Sequence, residues 1–344
     1  MSYAEVDPSN IQHADKTLTS ISATEFKSIE IFNTFPELVD LRVYNSIESL
    51  NGINKLKNLK KLNIINNKLN ELENIENDSI THLDVSCNDI TYIKNVYMLN
   101  LVFLDITYNK LTTLSGVEAL HNLKYLHAGV NRISSLKPIR KLTNLILLSV
   151  YNNNLTSLNY IKNLKLESLA IGSNNIKSLS EISEMITLKN LDIERTNVSS
   201  LKDIKKLINL ESLNANHNKI KDIGVVKNFK LLNEIYFDHN LITDYTPLIY
   251  LKTQYTFTTL VYENHNQPNG LENIQFDKHM PNENFIYFNY WQCCRKFPRH
   301  FKFSIYEALK NLYIREIKTK ILVFGQTYAF NVPYELWNTQ IQFN

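Results

Sequence analysis

Few side chains in this sequence are spaced to do chemistry. Cys293, Cys294 and His300 fall together in YWQCCRKFPRHFKF, residues 290–303. Thiolates and an imidazole could ligate zinc, but adjacent cysteines with no second CxxC do not provide the spaced ligand pairs such a site uses. Arg295, Lys296, Arg299 and Lys302 in the same stretch could meet phosphates or an acidic partner; a solvated basic edge is the preferred reading. His82, His127, His217 and His239 lie on separate copies of a repeating motif without ligand spacing, so they read as surface imidazoles. No phosphate-cradling glycine loop, nucleophile elbow or HExxH occurs. The expectation is a chain with no metal, no cofactor and no catalytic site.

What recurs at fixed intervals is a set of acids and aromatics, and the interval belongs to the elements that carry them. In LKNLKKLNIINNKLNELENI, residues 56–75, the apolar positions Leu59, Leu62, Ile64, Leu69, Leu72 and Ile75 follow neither helical nor strand periodicity. The first Leu of this LxxLxLxxNxL pattern returns at Leu38, Leu59, Ile80, Leu101, Leu123, Leu145, Leu166, Leu188, Leu210 and Leu232, every 21 or 22 residues. The ninth position is Asn in eight of the ten copies, with Ser46 and Thr196 as the exceptions.

The LxL core predicts a short strand with both apolar residues on one side. A turn follows, then an extended or 3₁₀-like return limb with apolar residues three apart. A buried Asn at the turn can use its donor and its acceptor on backbone groups the turn leaves unpaired, so stacked Asn residues form a ladder. One copy cannot bury its apolar face alone, and the copies must stack.

These residues carry a resemblance to leucine-rich repeat proteins over roughly residues 16–252. The 21–22-residue period resembles the class shared by a regulatory subunit of type 1 protein phosphatase, axonemal and spliceosomal adaptors, and bacterial internalins. NLITDYTPLIYL, residues 240–251, is similar to the internalin form N-x-I-x-D-x-x-P-L-x-x-L. The resemblance implies an α/β solenoid, a horseshoe with a parallel β-sheet on its concave face. It implies a non-enzymatic protein–protein interaction scaffold, with a phosphatase regulator or adaptor as the leading expectation and an internalin-like surface or secreted adhesion or effector protein as the alternative. Bacterial ubiquitin ligases that carry such repeats use a CxD nucleophile, and CCRK lacks its Asp.

Three segments are expected: 1–37 as an N-terminal cap with a degenerate first repeat (Phe26, Ile29, Phe32 and Phe35), 38–252 as ten repeats, and 253–344 as a mixed α/β cap or small domain. In the last, SIYEALKNLYIREIKTK opens with a Ser304/Glu307 capping box and presents Ile305, Leu309 and Leu312 on one helical face. KILVFGQTYAFNV reads as two strands about Gly325-Gln326.

Positions 3, 5 and 7 of each repeat should point from the sheet into the concave surface. There Asp40, Asp84, Asp105, Asp192, Glu194, Glu234 and Asp238 face only two bases, Arg42 and Lys61. Phe103, Tyr125, Leu147 and Tyr151 should stand exposed side by side on the middle repeats, with Tyr108 at their edge. Aromatics beside acids resemble a protein-binding hot spot with a polar rim. The expected partner-binding residues are Asp84, Phe103, Asp105, Tyr108, Tyr125, His127, Leu147, Tyr151, Asp192, Glu194, Tyr236 and Asp238.

A net charge of +3, with an acidic concave face, argues against nucleic acid as the ligand. MSYAEVDPSN shows no signal peptide, and no apolar run approaches the ~18 residues of a membrane span. Three cysteines fit a reducing compartment, so an intracellular location, cytoplasmic or nuclear, is expected.

Overall fold

The computed structural model describes residues 3–244 and 247, except 233 and 238, and beyond them the backbone of 284–287, 316–323 and 326–333. Up to Tyr236 the chain forms fourteen strands, the LxL cores among them as the period-2 spacing requires. They are β1 (Tyr3–Val6), β2 (Ser20–Thr24), β3 (Asp40–Tyr44), β4 (Lys61–Asn63), β5 (Leu72–Glu76), β6 (His82–Asp84), β7 (Ile93–Tyr97), β8 (Phe103–Asp105), β9 (Tyr125–His127), β10 (Leu147–Ser149), β11 (Ser168–Ala170), β12 (Asn190–Asp192), β13 (Ser212–Asn214) and β14 (Glu234–Tyr236), of which β5 and β7 lie on the return limbs. The other twelve pair in chain order into one sheet, parallel at every junction. β1 and β2 thus extend the sheet ahead of Leu38. Phe26, Ile29, Phe32 and Phe35 are buried behind it.

Register follows burial. Leu62, Leu83, Leu104, Leu126, Leu148, Leu169, Leu191 and Leu213 pair in one row across the sheet, each 2% exposed or less. A slip of one residue would turn that whole row into water.

The described return limbs differ from coil to coil. Most are 3₁₀ turns, at Ile53–Lys55, Lys137–Lys141, Ser180–Ile182, Lys202–Ile204 and Gly224–Asn228. In the second and third repeats the limb is extended instead, with Leu72 and Ile75, then Ile93 and Val96, buried three apart. Those two limbs are β5 and β7, which pair in parallel with each other. Helical limbs are wider than the ~4.8 Å strand spacing, which bends the stack around its sheet and makes the sheet side concave.

The Asn ladder runs as its chemistry demands. Asn88 Oδ1 accepts the Leu69 N–H at 3.0 Å and Nδ2 donates to Ile64 O at 2.9 Å, in the preceding repeat. Asn131 does the same to Leu111 N and Ile106 O, both at 3.0 Å. At the break in the column, the Thr196 hydroxyl donates to Ile193 O at 2.8 Å and sits 3.1 Å from Asn218 Oδ1. Asn131→Ala should cost ~1–3 kcal/mol, since it strands backbone groups in two repeats. An unchanged urea midpoint would show that the column carries no stability.

A second Asn column runs beside the first. Asn58, Asn100, Asn122, Asn144 and Asn209 each precede a repeat's first Leu, and their Nδ2 groups donate at 2.8–2.9 Å to Pro36, Asp78, Leu99, His121 and Ile186 carbonyls one repeat back.

β15 (Asn284–Tyr287) pairs in parallel with β16 (Glu316–Val323), and β16 pairs antiparallel with β17 (Gln326–Pro333). The hairpin exists, but its register joins Val323 to Gln326, which makes Gln326 a strand residue and not the second residue of the turn. Glu316–Lys320, the end of the segment read for its helical face, belongs to β16. Ser304, Ile305, Leu309, Leu312, Cys293, Cys294 and the basic stretch lie outside the described residues. Among the described residues no helix is long and apolar enough to cross a membrane.

Candidate partner-binding face

The concave face is built by positions 3, 5 and 7 of successive strands, with position 8 at its rim. Position 8 has positive φ in all ten repeats: Asn45, Asn66, Cys87, Tyr108, Val130, Asn152, Ser173, Arg195, His217 and His239. The chain must reverse there so that the following Asn points inward. Only three of these residues are Asn, the non-glycine type best suited to that conformation, and for the β-branched Val130 at φ 51° it is strained. The same twist throws Tyr108 outward, 42% exposed.

The register sets Phe103, Tyr125 and Leu147 side by side on β8, β9 and β10, and Asp84, Asp105, His127 and Ser149 in the next row. Tyr151 belongs to the row beyond. The expected exposure holds only for Tyr125, at 36%, and for Tyr108; Phe103, Leu147 and Tyr151 are half-buried. Neighbouring rings cover Phe103. Its centroid is 5.9 Å from that of His82, stacked, and 5.4 Å from that of His127. The Tyr151 ring lies against Gly129, where a methyl group would fall 2.2 Å from Cε1. Burial, with Tyr108 and Asp105 nearby, raises the Tyr151 phenol to about 12.

The acids have a second occupation that the repeat pattern does not announce. Asp84 Oδ1 accepts the Ser86 N–H at 3.0 Å, Asp105 the Thr107 N–H at 2.8 Å and Asp192 the Glu194 N–H at 2.9 Å. Asn63 and Asn214 serve Ile65 and Asn216 from the same position at 3.1 and 3.2 Å. Each closes the turn that ends its strand. The signal was Asp or Asn recurring at position 5, two residues before a turn.

Counter-charges thin the acidic surface at its ends. Arg42 bridges Asp40 at 3.1 Å and Arg195 lies 3.5 Å from Glu194. Burial raises Asp105, the Thr107 bonds oppose it, and the Asp84 charge adds to it. Burial also raises Asp192, to about 6. Tyr236 is half-buried at the far end, and Asp238 lies outside the described residues. Among the described residues no cluster of three His, Cys, Asp or Glu side chains is placed to hold a metal ion.

No family model matches the chain, and no curated protein does. Solved structures do. An internalin (inlF) of Listeria monocytogenes str. 4b F2365 superposes with a TM-score of 0.52 at 23% identity, over 75% of this chain and 93% of that one. The APL1 leucine-rich repeat domain gives 0.55 at 18% identity, over 70% and 65%. The plant peptide hormone receptor RGFR1 in complex with RGF2 gives 0.55 at 19% identity, over 76% and 50%. At these identities the likeness is one of fold: the chain is a leucine-rich repeat horseshoe with its parallel sheet on the concave side.

Proposed function

We propose that this protein is a non-catalytic interaction scaffold whose concave sheet face binds a partner protein. The observation that carries the reading is the meeting of exposed rings and carboxylates on the middle strands: Tyr108 and Tyr125 stand out beside Asp84 and Asp105. Large amphipathic rings next to charge are what a desolvated contact with a polar rim uses. Seven acids against two bases on the three columns favour a protein over nucleic acid.

An intracellular adaptor is the finer reading, supported by a cysteine set that is odd and sparse. Within it, regulation of a type 1 protein phosphatase follows the 21–22-residue repeat class. An internalin-like adhesion or effector role is the second reading, favoured by NLITDYTPLIYL at 240–251.

The test uses the two exposed rings, because Phe103 and Tyr151 also pack within the face. Proteins captured by the full chain should include one lost with Tyr108→Ala/Tyr125→Ala, its affinity falling by ~2 kcal/mol or more. The melting temperature should move little. A capture list indifferent to the double variant removes the concave face from the function. Finding the phosphatase catalytic subunit in that list separates the first reading from the second.

A further inference from the structure

The face reading leaves open what chemistry its centre selects. We propose that the concave surface across β6, β8 and β9 docks an extended segment bearing an arginine, whose guanidinium sits against Asp84 and Asp105 with the Tyr108 and Tyr125 rings beside it. The inference rests on the protein-binding reading and adds the partner's chemistry.

Charge complementarity carries it. Asp84 and Asp105 are register partners on adjacent strands, so their carboxylates stand about one strand spacing apart, ~4.8 Å. At the ends of the face, arginines of the chain itself meet Asp40 and Glu194. Around the central pair stand Lys61, His82 and His127, the thiol of Cys87 and the phenol of Tyr151, with Asn63 Nδ2 donating to Asp84 Oδ2 at 3.4 Å, and no arginine occupies positions 3, 5, 7 or 8 of these strands. Burial holds Asp105 above the ordinary carboxylate range, and the neighbouring Asp84 charge adds to that rise. An incoming cation offsets both by direct attraction to the ionised carboxylates.

The rings choose between cations. A guanidinium is planar, donates along two edges and stacks on aromatic faces, whereas an ammonium is a compact and strongly hydrated point charge. Tyr108 and Tyr125, 42% and 36% exposed, offer aromatic surface on neighbouring strands at the edge of the carboxylate pair.

The test is selection of a random dodecapeptide phage library on the immobilised full chain and on Asp84→Asn/Asp105→Asn. The double variant keeps the turn-closing oxygens, as Asn63 and Asn214 do naturally, and its melting curve confirms the fold. The expected result is enrichment of arginine about tenfold over the unselected library, above lysine, and its loss on the variant. Selected peptides without arginine enrichment overturn the proposal and leave the protein-binding reading standing. Arginine enrichment that persists on the variant overturns the assignment to the two aspartates. No selection above the bare support overturns this inference and the reading beneath it.

Discussion

Gly116→Ala is expected to destabilise the solenoid by roughly 3–5 kcal/mol, although it adds one methyl group to a surface turn. Gly116 sits at φ +104°, where a Cβ is strained whatever the space. The space is also taken, since that Cβ would lie 2.3 Å from Ile93 O and 2.6 Å from Ile93 C. Ile93 opens β7, the last strand of the small convex sheet, so its carbonyl cannot move without disturbing the β5–β7 pairing. Asn95 and Asn74, 21 and 42 residues earlier, also have positive φ, at 52° and 53°. Gly116 is the third of that series and the one with backbone pressed against it. Chemical denaturation of the variant measures the loss. Gly129→Ala is the internal control: its clash is with the Tyr151 ring, a side chain that can swing away, and φ there is not positive. Equal costs for the two would show that backbone approach at Gly116 has been overvalued.

The second large effect is pH-dependent. Burial raises the Asp192 carboxyl from 3.8 to about 6; the Glu194 N–H bond opposes the rise, and the Glu194 charge adds to it. The folded protein therefore holds this proton more tightly than the unfolded chain does. Stability falls as pH rises from about 4 to about 6, and the contribution is constant above that. Roughly two pH units at 1.36 kcal/mol each set an upper bound of ~3 kcal/mol on the cost of ionisation. Asp192→Asn removes that cost while keeping an oxygen for the Glu194 N–H. The variant should be more stable than the parent by ~2 kcal/mol at pH 7.5, with the two curves meeting near pH 4. A gain of equal size at both pH values would trace the effect to packing and not to ionisation.

The amino-acid order by itself determined the solenoid. Each LxL writes one strand, each Asn one rung, and the recurrence at 21 or 22 residues leaves stacking as the sole way to bury Leu62, Leu83 and their successors. It also placed Phe103, Tyr125 and Leu147 on adjacent strands, because register in a parallel stack follows the repeat. These features are local or strictly periodic, so counting residues reaches them.

The tertiary structure decided what depends on distances between repeats. Whether Tyr151 faces solvent turned on Gly129 in the neighbouring coil, and whether Phe103 did turned on His82 and His127 either side of it. Asp84, Asp105 and Asp192 looked like surface charge in the columns, yet each closes a turn whose N–H becomes accessible only when the strand ends there. The limbs of the second and third repeats are strands that pair with each other, a contact between coils that the period does not announce. A period says which residues share a face; the separation and tilt of the coils say how much of each side chain that face leaves to water.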